Sequence, residues 1–185
     1  DVELGLHRTA TGAAAGGDAP ARVTAQLADG AVLTFHRDGA AWRTSDRRRF
    51  ALERAGRGWE LLDGDTGGRR WQFDQHGHLT GWRVGRVGVS VSRDDGRVIA
   101  LTHDRSGREI RVTWVGERIA AIACDDGRTV AYTYGDRQTL VRAESRSGWF
   151  DYAYDGRLMV AATDPDGVSE FDNEYDAAGR VARQT

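Results

Sequence analysis

The stretch "FDNEYDAAGRVARQT", Phe171 to Thr185, is an alternating aromatic segment, then Asp-x-x-Gly-Arg, then a second apolar segment. It reads as two strands joined by one turn: side chains two apart share a face of a strand, and Gly supplies the left-handed backbone that a tight turn needs. Just upstream, "YAYDGRLMVAATDPDG" (152–167) has the same character.

Working outward, the turn glycines set a period. Gly96, Gly116, Gly135 and Gly156 are spaced by 20, 19 and 21 residues, and Gly107, Gly127, Gly148 and Gly167 by 20, 21 and 19. The two combs interleave, so the unit is a hairpin of about 20 residues and the sheet grows by adding hairpins. Val23, Ala25 and Leu27, then Val87, Val89 and Val91, then Ile110, Val112 and Trp114, then Val130, Tyr132 and Tyr134, and finally Phe150, Tyr152 and Tyr154 alternate, each set building one buried face. Asp155-Gly156 reads as a two-residue turn. Asp74, Asp104 and Asp176 each open an Asp-x-x-Gly turn, whose carboxylate accepts turn N–H groups while Gly77, Gly107 or Gly179 takes the left-handed place. Arg97, Arg108, Arg128, Arg157 and Arg180 each follow such a Gly and are expected to contact an Asp or an aromatic ring across strands or between repeats. An ion pair that recurs five times is a structural part rather than a catalytic one.

The expected fold is all-β: repetitive antiparallel hairpins forming a curved sheet or part of a barrel wall. The expected divisions are a flexible Ala/Gly-rich arm over 1–21, a degenerate strand region over 22–70, and a regular repeat array over 71–185 that is cut through at its end.

Composition bounds the rest. The chain has 185 residues, a formal net charge of −2 and 26 basic residues, all of them Arg, so the totals give no case for nucleic acid or an anionic membrane. The run Arg47 to Arg49 reads as a solvated loop. Cys124, the single cysteine, follows the apolar run 119–123 and reads as a small core or near-core residue rather than a nucleophile. No apolar run approaches the roughly 20 residues that cross a bilayer as a helix. The start at Asp1 has neither a Met nor a basic-then-apolar leader, as in a processed or excised piece.

The segments Tyr154-Asp155-Gly156-Arg157-Leu158 and Tyr175-Asp176-Ala177-Ala178-Gly179-Arg180-Val181 resemble the YD repeats of Rhs-type polymorphic toxins, insecticidal toxin complexes and teneurins. Phe73-Asp74 to Leu79 and His103-Asp104 to Ile110 resemble them more loosely. The resemblance implies a spiralling β-shell that encloses a C-terminal toxin domain in an exported bacterial protein, or serves adhesion at the cell surface. It implies as partners the remaining repeats and an enclosed toxin domain, with no catalysis and no cofactor. The needle-tip domain, the toxin domain and the self-cleavage segment of that family are not in this sequence. Asp164-Pro165-Asp166-Gly167 falls on the comb as an ordinary turn.

Other chemistry has thin support. His76-Gly77-His78 is the only close histidine pair and reads as an exposed turn. The acidic turns at 63–65, 94–95, 125–126 and 164–166 lack calcium-loop spacing. Paired carboxylates for glycoside hydrolysis have no specific pattern, and no Gly-x-Ser-x-Gly or phosphate-binding Gly loop is present. Trp42, Trp59, Trp71, Trp82 and Trp114 share phase with apolar neighbours and read as core. Trp149 is out of phase with Phe150, Tyr152 and Tyr154, which makes it the candidate contact for a glycan or cell-surface ligand, the alternative function.

Overall fold

The computed structural model describes residues 3–7, 22–45, 49–65 and 68–185. Among them are eighteen strands and no helix, and every pairing of consecutive strands is antiparallel within each of two compact units, 1–108 and 109–185. The all-β hairpin architecture read from the sequence is what the chain adopts. The boundary between units falls at Arg108/Glu109, whereas the regular spacing fades near residue 70, so the two divisions mark different things.

The first unit is a meander of β1 (Glu3–His7), β2 (Arg22–Gln26), β3 (Val32–Asp38), β4 (Ala41–Thr44), β5 (Phe50–Ala55), β6 (Gly58–Asp63), β7 (Arg69–Phe73), β8 (Leu79–Val84), β9 (Val87–Asp94) and β10 (Arg97–His103). Strand β1 pairs with β2, so residues 3–7 are not part of the expected arm, and residues 8–21 lie outside the described residues. Of the Arg run, Arg47 and Arg48 also lie outside them, and Arg49 is exposed.

The register lines up one apolar row across six strands: Trp42, Leu52, Leu61, Trp71, Trp82 and Val89. A second row places Arg54, Trp59, Phe73 and Leu79 side by side on the same face. Except for the exposed Arg54 and the half-buried Val89 at their ends, these rows form the core with Val23, Ala25, Leu33 and Phe35 from β2 and β3. Trp59 is fully buried, edge-on to Trp42 at 5.2 Å between centroids, with the Arg54 guanidinium 3.9 Å above its ring. Gly58 is required beside it, because a Cβ there would sit 2.0 Å from the Phe73 carbonyl oxygen.

The second unit runs β11 (Glu109–Val115), β12 (Arg118–Cys124), β13 (Thr129–Tyr134), β14 (Leu140–Ser145), β15 (Gly148–Asp155), β16 (Leu158–Thr163), β17 (Ser169–Tyr175) and β18 (Val181–Gln184). Its registers give one apolar face, with Val112, Ile122 and Val130 in one row, Tyr132, Ala143 and Phe150 in another, and Tyr152, Ala162 and Phe171 in a third. The opposite face is polar and small, with Glu144 and Trp149 beside Arg142 and Asp151.

In this unit the expected alternation is therefore correct in phase and wrong in burial, whereas Val23, Ala25 and Leu27 of the first unit are buried as expected. Phe150 is 40% exposed, and Ala162 is the one buried apolar residue among those described in this unit. A single sheet has nothing of its own to pack against, and the deep core sits instead under the worn repeats of the first unit. This asymmetry is measurable: Trp59→Ala is expected to cost about 3–5 kcal/mol in denaturant unfolding, and Trp149→Ala to stay within about 0.5 kcal/mol.

Candidate functional site

The motif residues occupy turns, most of them of two kinds; Asp95-Gly96, with φ 46° and 76°, is a two-residue turn in which both residues are left-handed. In the three-residue kind, the first residue donates its N–H to the carbonyl four residues on, and the fourth returns its N–H to the carbonyl of the first. Leu27 to Gly30, Asp74 to Gly77, Cys124 to Gly127, Gly135 to Gln138, Asp164 to Gly167 and Asp176 to Gly179 all close this way. The fourth residue is left-handed each time, from φ 61° at Gln138 to 93° at Gly77. In the two-residue kind, Gly85, Gly116 and Gly156 open the turn with φ near 60°, ahead of a second residue with negative φ.

This separates the two best sequence matches. Tyr154, Asp155, Gly156 and Arg157 belong to a two-residue turn: Asp155 pairs with Leu158, and the turn itself is Gly156-Arg157 rather than Asp155-Gly156. Tyr175, Asp176, Gly179 and Arg180 belong to the three-residue kind. The structural counterpart of Tyr175 is Tyr134, whose segment lacks the motif because Gly135 stands where Asp is expected and Gln138 where Gly is expected. The shared signal is the register: Phe73 pairs with Leu79, Tyr134 with Leu140 and Tyr175 with Val181. In each return strand the next residue, Thr80, Val141 or Ala182, is the extra residue of a bulge.

Two comb members play other parts. Gly135 opens its turn without positive φ, and Gly148 begins a strand at φ 131° against the ring of Pro165. The Asp104 turn also departs from expectation. Gly107 donates to the carbonyl of His103, whose Nδ1 accepts from the Ser106 N–H. The Asp104 carboxylate instead crosses above Gly88, accepting from the Ser90 hydroxyl at 2.7 Å and the Arg83 guanidinium at 3.1 Å. A Cβ on Gly88 would collide with it at 2.3 Å. The Ser90 hydrogen bond first, and the Arg83 guanidinium after it, hold the Asp104 carboxyl below its ordinary range against partial desolvation.

For Arg128 and Arg180 the Arg expectation needs a similar correction. Arg128 and Arg180 close back on Asp126 and Asp176 of their own turns, with Nε–oxygen distances of 2.9 Å in both. Arg157 is an exposed turn residue. Arg142–Asp151 and Arg70–Glu60 are pairs between neighbouring strands. Asp176 also accepts from the Ala178 and Arg180 N–H groups at 2.9 and 3.0 Å. The Arg180 N–H first, then its guanidinium, lower the Asp176 carboxyl below its ordinary range, with desolvation opposing and the Ala178 N–H adding a smaller push.

Bulges explain the tyrosines. At β11–β12, Ala120 is the extra residue, and at β15–β16 it is Val160. The backbone ladder to the following strand stops there: β12 pairs with β13 only over Ala121–Ala123, and β16 with β17 only over Ala161–Thr163. Beyond that point a side chain of the following strand takes over. The Tyr134 hydroxyl donates to the Ile119 carbonyl at 2.9 Å, and the Tyr175 hydroxyl to the Met159 carbonyl at 2.6 Å, where the Asn173 amide donates as well at 3.3 Å. In the first unit the Arg93 Nε donates to the Leu79 carbonyl, beside the Thr80 bulge, at 3.2 Å.

On the polar face of the second unit, Trp149 is 41% exposed. Arg142 forms a two-pronged pair with Asp151 at 2.6 and 2.8 Å, and its guanidinium lies 5.4 Å from the Trp149 ring centre. The Arg142 hydrogen bonds hold the Asp151 carboxyl low against partial desolvation, with the guanidinium charge and the Trp149 side chain assisting. In the first unit, an open depression of about 450 Å³ lies between the β5–β6 and β7–β8 turns, lined by Arg57, Trp59, Gln72, Asp74, His76 and Thr80 among others. Among the described residues, no three His, Cys, Asp or Glu side chains gather as a metal cage, and no helix is long and apolar enough to cross a membrane.

Comparison with protein-family models finds no match, and no curated protein matches the chain. The residues' own geometry therefore carries the functional reading.

Two outcomes test this account of the turns. Gln138→Gly relieves a left-handed non-glycine residue, and is expected to raise stability by about 1 kcal/mol in urea unfolding. Asp176 has a folded pKa below its unfolded value of about 3.9, so its contribution is present above that pH and lost as pH falls through the lower folded value. NMR titration should place the Asp176 midpoint below that of an unfolded control, and Arg180→Ala should move it upward.

Proposed function

We propose that the chain is a wall segment of a bacterial Rhs-type polymorphic toxin. It scaffolds and encloses a toxin domain, is exported as part of a larger protein, and performs no catalysis of its own. The observation that carries this reading is the side-chain bond that couples three of the bulged strands, β8, β12 and β16, to the strand after each. Such a coupling repeats along an array and lets a sheet lengthen hairpin by hairpin. The amphipathic, half-exposed single sheet of the second unit supports the same reading, since a shell wall has one surface toward its contents and another outward. The partners are then further repeats and the enclosed domain.

A second reading has its own observation. Trp149 stands exposed on a polar sheet face beside a paired guanidinium and carboxylate, a combination that offers a sugar ring an apolar platform and hydrogen-bonding groups. This is the adhesive, carbohydrate-binding alternative.

Protease protection of the intact parent polypeptide separates the two. The wall reading expects the segment C-terminal to the repeats to resist digestion while the repeats are folded, and rapid digestion of that segment around intact repeats would contradict it. Specific glycan-array binding lost in Trp149→Ala would favour adhesion instead.

A further inference from the structure

The β7–β8 turn presents two imidazoles whose surroundings fix their chemistry. The Asp74 Oδ1 accepts the N–H groups of His76 and His78 at 2.8 and 2.9 Å, which sets the backbone on which both rings stand. The other carboxylate oxygen faces the His78 Nδ1 at 3.1 Å. An ionised carboxylate only accepts, so in the neutral ring the His78 Nδ1 carries the proton and Nε2 holds the lone pair. At His76, Nε2 lies 3.0 Å from the Gln75 amide nitrogen. An amide nitrogen only donates, so this Nε2 is also the lone-pair nitrogen. The ring centres are 6.1 Å apart, and both side chains are exposed.

We propose that His76 and His78 together bind a divalent first-row transition ion such as Cu²⁺ or Zn²⁺ through their Nε2 atoms. Asp74 is the positioning residue that orients the His78 ring, the arrangement in which a metal-bound histidine passes its other N–H to a carboxylate. Metal–nitrogen bonds of about 2.0 Å put two ligand nitrogens roughly 3 Å apart, which a rotation of these exposed rings supplies at the loss of the Gln75 contact. No third side chain completes a cage among the described residues, so water fills the remaining positions and the ion is exchangeable. The depression beside His76, with Gln72 and Thr80 on its wall, provides room for that water. Such an open site suits an ion that is captured or carried rather than one that holds the fold together.

The test titrates the untagged chain with Cu²⁺, following heat and the electron paramagnetic resonance spectrum. One equivalent is expected to bind, with nuclear modulation from two imidazoles. His76→Ala and His78→Ala should each lower affinity at least about 10-fold and leave one imidazole, and Asp74→Asn should lower it about 10- to 100-fold while keeping both. His→Gln variants replace any alanine variant whose thermal melt shifts. No stoichiometric uptake, or uptake unchanged when both histidines are replaced, would overturn the proposal.

Discussion

The structure depends on what happens where a backbone ladder stops. A bulge sets two residues against one, bends its strand and increases the local twist. The next strand then cannot follow it with backbone bonds, and a carbonyl that loses the ladder still needs a donor. Tyr134, Tyr175 with Asn173, and Arg93 each supply that donor from the strand that follows the bulge. One such bond contributes about 1 kcal/mol net. Its larger effect is to make the geometry of one hairpin a condition of the next at three junctions, β8 to β9, β12 to β13 and β16 to β17.

That constraint accounts for the contrast between the units. In the first, Trp59, Trp71, Phe73 and Leu61 bury large side chains together, and burial tolerates uneven spacing and worn motifs. In the second, most apolar side chains are only half-covered, so order rests on turns, bulges and side-chain caps, which demand particular residues at particular places. Motif regularity is therefore highest where hydrophobic burial is least.

Much of this was legible in the sequence, and the exceptions have physical causes. The Gly comb located hairpins because positive φ at a turn is a strict local demand. It did not separate two turn kinds, because Gly serves both, and Tyr154 and Tyr175 therefore looked alike, although both stand opposite a bulge and Tyr175 also caps the preceding one at Val160. Tyr134 was hidden by Gly135 and Gln138, since a non-glycine residue at φ 61° gives no sequence signal. Asp104 misled because its carboxylate has better partners across β9, reached only because Gly88 has no side chain. The phase of each strand was readable from alternation, but its depth of burial depends on what covers the face, which no local pattern records. Trp149 was placed on the polar face by phase alone, whereas its Arg142–Asp151 neighbours come from strand register.

Native-state hydrogen exchange on Tyr134→Phe tests the coupling most directly. Removing one hydroxyl should lower protection in the β11–β12 hairpin, read at Arg111 and Ala123, whose N–H groups face each other across it, together with that in β13–β14. Loss confined to β13–β14, with β11–β12 unchanged, would contradict the claim that the bond joins successive hairpins.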